Sequence, residues 1–265
     1  MKRKGKLMEN GFRAVSLNLK TAKSADSNFQ REREPLIAEF VGTALPDTLG
    51  TQECEAFWRE RLDDVLAPHG YVRAQAVPSD GVTKNYMWYR PQSLELVDSG
   101  VFWLSETPDI SSKGFGSRFF ISCCYAEYRI RATGARFLHF NTHLNVDSEE
   151  VRRKELTVLL PRMRGLCKDR ELPAILTGDF NSEPDSEIYK SVCAELTDVR
   201  IVAPVTTAIG TFNDFCDKMP YCGIIDYCFV TEGIAAKKYA VFDKLHGKLI
   251  SDHNAVILDL AVSSR

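Results

Sequence analysis

The stretch Pro173-Ala-Ile-Leu-Thr-Gly-Asp-Phe-Asn-Ser-Glu-Pro184 decides how the rest of the chain is read. Ala174–Thr177 is a short apolar run with the length and β-branched content of a strand. It gives way at once to Gly178, Asp179 and Asn181, all turn formers, so on its own the segment is a strand followed by a turn. The same ending recurs along the chain. Asn18 closes Val15-Ser-Leu-Asn, and Glu53 follows Gly50-Thr-Gln just before a helix. His143 and Asn145 close Phe140-Asn-Thr-His-Leu-Asn, Asp226 sits inside Ile224-Ile-Asp-Tyr227, and Asp252 and His253 open the last strand. Strand ends on one rim of a sheet converge into a pocket although they are far apart in sequence.

The patterning predicts strands at Phe12–Leu19, Tyr86–Tyr89, Phe119–Ile130, Arg136–His143, Ala174–Thr177, Ile224–Thr231 and Ala255–Val262. Helical stripes run over Glu32–Thr43 and Ser148–Leu166, with shorter helices at Ala56–Leu66 and Asp185–Glu195. Ser148-Glu-Glu reads as a cap with acids in the first turn, and Pro161 as a bend or interruption of that helix. Short connections such as Arg131-Ala-Thr-Gly-Ala135 favour antiparallel pairing and two packed sheets with helices outside. No linker divides the chain and no repeat is present. The expectation is a flexible segment at 1–10 and one domain at 11–265.

Composition excludes several classes. The 265 residues are 44% hydrophobic, 26% charged and 10% aromatic, which rules out collagen-like and broadly disordered chains. No run approaches the ~18 apolar residues of a membrane span. The basic start lacks the apolar centre of a secretion signal, so the expectation is a cytoplasmic monomer. A formal net charge of -2 argues against a long duplex gripped through its phosphates, and any nucleic-acid partner should be short or single-stranded. The eight cysteines show no CxxC pairing and read as reduced, buried small hydrophobes. The Cys216/Cys222 spacing does not suit a zinc knuckle.

The polar set has a chemistry. Glu53, Asp252 and Asn18 offer hard oxygen ligands suited to Mg²⁺, with Mn²⁺ as substitute. His143 and His253 with nearby carboxylates supply acid, base and charge-stabilising groups for attack at phosphorus. His253 needs a carboxylate to orient it, and Asp226 is the candidate, because an acid among apolar residues must be paired or face a site. Singly, each residue has a plainer reading. Asn18 could satisfy strand-end backbone, Glu53 could be a solvated helix-start acid, and His143 an edge histidine.

In order, however, the pieces Phe140-Asn-Thr-His-Leu144, Leu176-Thr-Gly-Asp-Phe-Asn-Ser182, Gly223-Ile-Ile-Asp-Tyr227 and Ser251-Asp-His253 resemble the endonuclease/exonuclease/phosphatase (deoxyribonuclease I-like) superfamily. The resemblance covers nearly the whole chain, and Val101-Phe-Trp-Leu-Ser-Glu-Thr-Pro108 looks like a bacterial-type branch whose substrates are mostly unassigned. It implies a four-layered α/β sandwich with two mostly antiparallel central sheets, and Mg²⁺-dependent hydrolysis of phosphate esters. Carried over by motif, Asn18, Glu53 and Asp252 would hold the metal, and Asp179 would activate the attacking water. Asn181 would position water and phosphate, and His253, oriented by Asp226, would serve as acid/base or hold the phosphate oxygen. His143 would stabilise the transition state, with Arg118 near the phosphate. Two departures stand out. Relatives commonly place a glutamate before the strand at Tyr86 to pair with the histidine matching His143. Here Gly81-Val-Thr-Lys-Asn85 leaves Asn85 as the nearest candidate. Asn145 stands where many relatives have Asp, which leaves it a substrate contact.

The first functional reading is a metal-dependent phosphodiesterase or nuclease, with Trp103, Phe115 and Phe119 near Arg118 as stacking residues for a base. A phosphomonoesterase acting on a sugar- or inositol-phosphate is the alternative. A non-catalytic binding protein on the same fold would not need the full set of acids and histidines.

Overall fold

The computed structural model describes residues 10–21, 28–75, 83–207, 209–216 and 223–263. Most of the expected N-terminal flexible segment, and Cys222, lie outside them. Two six-stranded sheets form the centre. One runs, in spatial order, through Ile234–Phe242 (β11), Ala255–Val262 (β14), Gly11–Asn18 (β1), Thr48–Gln52 (β2), Tyr86–Tyr89 (β4) and Val72–Arg73 (β3). The other runs through Leu94–Trp103 (β5), Ser122–Ile130 (β6), Arg136–His143 (β7), Ala174–Asp179 (β8), Asp226–Val230 (β10) and Thr197–Asp198 (β9). A small hairpin pairs Lys244–Leu245 (β12) with Lys248–Leu249 (β13). Each large sheet has one parallel pair, β1 with β2 and β7 with β8, and is otherwise antiparallel.

Three apolar layers hold these sheets. Between them lie Phe12, Met87, Tyr128, Phe137, Ile175 and Leu258, with Phe12 stacked on Phe137 at 4.0 Å. The outer face of the first sheet packs on Asn28–Ala44 (α1) and Ala56–Leu66 (α2) through Ile37, Phe40, Trp58 and Leu62. The second sheet packs on Glu149–Arg170 (α3) and Glu187–Cys193 (α4) through Leu156, Leu159, Met163 and Ile188. This is the expected four-layer order, helix on sheet on sheet on helix, which buries one face of every element.

The centre is not wholly apolar. His139 on β7 bonds Thr48 of the opposite sheet through Nδ1 (2.9 Å) and Thr177 of its neighbour through Nε2 (2.8 Å). Asn141 accepts from Gln52 Nε2 at 2.6 Å and donates to the Thr51 carbonyl at 2.9 Å. These bonds stitch the sheets together and lock their relative register, since a slipped strand would leave buried polar groups unpaired. Gly50 is required there, because a Cβ would lie 2.7 Å from Asn141 Oδ1.

Several sequence expectations need correction. α3 continues unbroken through Pro161, with Ser148 capping it by accepting the Val151 N–H at 3.3 Å. Strand β6 starts at Ser122 rather than Phe119, and β10 is confined to Asp226–Val230. Two long strands, β5 and β11, have no counterpart in the patterning. Both carry a bulge, at Leu96/Asp98 and Ala236/Lys238, which breaks the period-two alternation. β11 also contains two alanines and two lysines in succession, poor strand formers that its pairing to β14 overrides. Among the cysteines, Cys54, Cys123, Cys124 and Cys228 are buried, whereas Cys216 is exposed. No helix among the described residues is long and apolar enough to cross a membrane.

Candidate active site

The strand directions bring the motif ends to one rim. Parallel pairing sets Asn18 beside Gln52, the residue before Glu53, and His143 beside Asp179. β10 enters antiparallel with Asp226 opposite Asp179, and β14 starts on the same rim just after Asp252 and His253. The two rims meet where Asn18 Nδ2 donates to Glu53 Oε1 (3.1 Å) and, across the sandwich, to Asp179 Oδ2 (3.0 Å).

Backbone strain accompanies this convergence. Glu53 and Asn181 adopt the left-handed conformation, with φ of 53° and 48°, which is costly for residues with a Cβ and persists only where surroundings enforce it. Thr21 N–H holds Glu53 Oε2 at 2.8 Å. Asn181 is held from both ends: its N–H donates to Asp179 Oδ1 at 2.8 Å and its Nδ2 to the Leu144 carbonyl at 2.9 Å. Gly178 precedes them because a Cβ there would strike the Thr142 carbonyl oxygen at 2.0 Å. The glycine in Thr177-Gly-Asp is therefore a packing requirement of the β7–β8 pair.

The electrostatics are acidic and partly compensated. Asp179, Asp226 and Asp252 are each at most 2% exposed. His253 Nδ1 meets Asp226 Oδ2 at 2.8 Å, which orients the ring so that Nε2 faces Asp179 Oδ2 at 3.8 Å. Burial opposes charging His253, but Asp226 and Asp179 overcome it and push its pKa up to about 10. Glu53 is likewise opposed by burial, yet His143, the Thr21 N–H, Lys20 and Asn18 hold it below the usual carboxylate range. His143 Nε2 lies 3.3 Å from Asp179 Oδ2 and 2.9 Å from Asn181 Nδ2. Lys20 Nζ pairs with Asp252 Oδ2 at 2.7 Å. The ligand atoms of Asp179, Asp226 and His253 all lie within 4.8 Å of one another.

Eight sequence-derived residues thus share one cluster: Asn18, Glu53, His143, Asp179, Asn181, Asp226, Asp252 and His253. The other three lie outside it. Arg118 forms a two-pronged ion pair with Asp147, both contacts 2.8 Å, and stacks on Phe119. Asn145 is 1% exposed, with Nδ2 on Ser117 Oγ and Oδ1 accepting from the Asp147 and Ser148 N–H groups, so it shapes its loop instead of facing a substrate. Asn85 donates to the Ser122 carbonyl at 2.7 Å, and no hydrogen bond joins it to His143. Trp103 is a core residue packed edge-on to Phe120. Asn18 also differs in detail: its side-chain Oδ1 accepts the Lys20 N–H, so its NH₂ group is the part turned to the acids.

Sequence reasoning missed three supporting residues. Thr211 Oγ1 accepts the Ile225 and Asp226 N–H groups, Ser251 Oγ donates to the Asn18 carbonyl at 2.6 Å, and Lys20 neutralises part of Asp252. Ser251 was the one within reach, since it opens the quoted piece Ser251-Asp-His253, whereas Lys20 lies two positions beyond the end of Val15-Ser-Leu-Asn18.

The chain matches the profile of the Endonuclease/Exonuclease/phosphatase family over residues 24–253. A mimivirus protein designated L388, from Acanthamoeba polyphaga mimivirus, is 29% identical over 164 residues, and the match spans 57% of this chain and 59% of that one. An endonuclease/exonuclease/phosphatase family protein from Bacteroides thetaiotaomicron has a TM-score of 0.86 at 29% identity, over 96% of this chain and 99% of its own. The mannosyl-6-phosphatase Bt3783 of Bacteroides thetaiotaomicron VPI-5482 has a TM-score of 0.84, also at 29% identity, over 94% and 99%. With the profile spanning most of its length and the motif residues gathered on one rim, the chain belongs to the endonuclease/exonuclease/phosphatase family of phosphoesterases.

Proposed function

We propose that the protein hydrolyses a small phosphate monoester by in-line attack of water, with a divalent cation bound beside Glu53. The observation that carries this reading is the line Asp226–His253–Asp179, with steps of 2.8 and 3.8 Å, meeting Glu53 through Asn18. The residues fit a cation. Four acids, Glu53, Asp179, Asp226 and Asp252, lie together with Lys20, His143 and His253 beside them, and the all-oxygen donor set of the acids suits Mg²⁺ or Mn²⁺. Glu53 would hold the ion, with Asn18 and Asp252 beside it. When bound, such an ion would polarise a phosphoryl oxygen and offset charge in the transition state.

The chain's own groups do the rest. Asp179 offers a carboxylate to orient and deprotonate water, with Asn181 fixed to it by a backbone bond. His253, kept charged by its two acids, donates a hydrogen bond to a phosphoryl oxygen. Asp226 fixes the orientation of its ring. His143 lies on the other side of Asp179, placed to stabilise the leaving oxygen.

Two observations favour a monoester of the sugar-phosphate kind. The chain is similar over nearly its whole length to a mannosyl-6-phosphatase, and its net charge of -2 gives no general attraction for a polyanion. A diester reading, on short or single-stranded nucleic acid, draws on the rim at Phe119, where Arg118 and Lys84 both lie over one ring at 4.8 and 5.6 Å. The deciding experiment is hydrolysis by purified protein with Mg²⁺, Mn²⁺ or EDTA. The panel is mannose 6-phosphate, an inositol phosphate, a generic diester and single-stranded DNA and RNA, with Asp179→Ala as control. Metal-dependent release of phosphate from a monoester, lost in the variant, is expected. Faster diester cleavage would hand the substrate to the second reading, and hydrolysis surviving in Asp179→Ala would overturn the mechanism.

A further inference from the structure

Lys20 lies just beyond the end of β1, and its backbone is held in a conformation that a lysine adopts only under constraint. Its φ is 54°, in the left-handed region. Its N–H donates to Asn18 Oδ1 at 3.0 Å, and its carbonyl accepts from Trp58 Nε1 at 3.2 Å and Arg33 Nη2 at 3.1 Å. Arg33 is only 4% exposed. Its Nη1 donates to the carbonyls of Leu19 (2.7 Å) and Ile250 (3.2 Å), so one guanidinium ties the Lys20 loop to the segment that carries Asp252. Phe29, Trp58 and Phe215 lie around that guanidinium at 4.5 to 5.5 Å. A buried cation, three rings and four backbone carbonyl bonds thus fix where a single side chain leaves the loop.

That side chain ends on Asp252. The ammonium is 2.7 Å from Oδ2 of a carboxylate with no solvent exposure, while the lysine side chain itself is 20% exposed. It therefore bridges the buried acid and the open side of the site, and Glu53 and Asp214 add their attraction. An ammonium has three donors, and a point charge of this kind suits a phosphate oxygen.

We propose that Lys20 is a substrate-gripping residue: Asp252 anchors its ammonium, whose other donors hold an oxygen of the substrate phosphate, and the ammonium fills the place beside Asp252 that a second divalent ion would otherwise need. The inference rests on the phosphoesterase reading above and deepens it. The protein then works with one divalent ion, bound at Glu53, and a terminal phosphate meets two unlike cations.

The test uses the whole chain with inorganic phosphate and Mn²⁺ as probes. In calorimetry with saturating Mg²⁺, Lys20→Met should bind phosphate about 10- to 100-fold more weakly than the parent, the range for losing a charged hydrogen bond. Lys20→Arg, which keeps the charge, should recover most of that binding. In a Mn²⁺ titration followed by electron paramagnetic resonance, the parent should bind one ion and Lys20→Met a second, on the freed Asp252. Should Lys20→Met not fold, Lys20→Gln carries the same expectation. Unchanged phosphate affinity in a folded, uncharged variant overturns the proposal, as does a parent that already binds two ions. Neither result harms the broader reading so long as the parent hydrolyses phosphate esters and Glu53→Gln abolishes its metal binding. A parent that binds neither metal nor phosphate sinks both.

Discussion

Two histidines in this protein are almost equally buried and carry opposite charge states. His139, between the sheets, meets only hydroxyls, and burial pushes its pKa down to about 3. His253, at the rim, is 4% exposed but faces Asp226 and Asp179, which push it up to about 10. Burial opposes the charge in both. The partner decides the outcome, because a nearby anion outweighs desolvation and a hydroxyl does not. The first region is a polar seam satisfied by its own neighbours. The second is a cluster of acids incompletely neutralised by the chain, and that remainder is what a site offers to a ligand.

The largest effect should come from removing the charged member. His253→Ala should lower turnover at least about 100-fold, the scale for losing a preorganised donor to the transition state, without unfolding the chain. Wild-type turnover in a folded variant would dissolve the contrast. The mirror experiment is His139→Ala. It should leave turnover nearly intact but reduce stability by about 2 to 4 kcal/mol, since it opens a cavity and removes the two buried hydrogen bonds to Thr48 and Thr177. Denaturant unfolding with a loss below about 0.5 kcal/mol would show that the seam does not hold the sheets together.

A third buried group sharpens the comparison from the acidic side. Glu155 on α3 accepts the Asn145 N–H at 2.9 Å, and burial, opposed by that bond and by Arg152, raises its pKa from 4.5 to about 7. The folded state therefore holds a proton that the unfolded state has released between about pH 4.5 and 7. Stability from this group is present at the acid end of that window and falls as pH rises through it. Glu155→Gln keeps an acceptor for Asn145 and removes the charge, so it should be nearly neutral at pH 5 and stabilising by about 2 kcal/mol at pH 8. Equal melting shifts at the two pH values would refute the raised pKa.

The candidate site was legible because its residues sit at the ends of apolar runs, and a run's end can be read locally. That reasoning found eight residues of the cluster without knowing which strands were neighbours. It did not separate out Arg118, Asn85 and Asn145, which lie outside the cluster: Arg118 pairs with Asp147, and Asn85 and Asn145 turn their side chains into the fold. Sequence position does not reveal side-chain direction where a loop or strand end departs from regular alternation.

Local reading of the residues supplies the binary pattern, half of the strands, the main helices, and the order of acids, amides and histidines along the chain. These follow from periodicity and turn chemistry over a few residues. That β5 and β11 are strands follows from long-range pairing, since bulges and weak propensity hide them and partner strands impose them. The tertiary structure alone set the charge of each buried histidine and turned Lys20 onto Asp252, 232 positions away. A pKa and an ion pair depend on which groups lie within a few ångströms, and that distance is fixed by sheet pairing between segments that share no local signal.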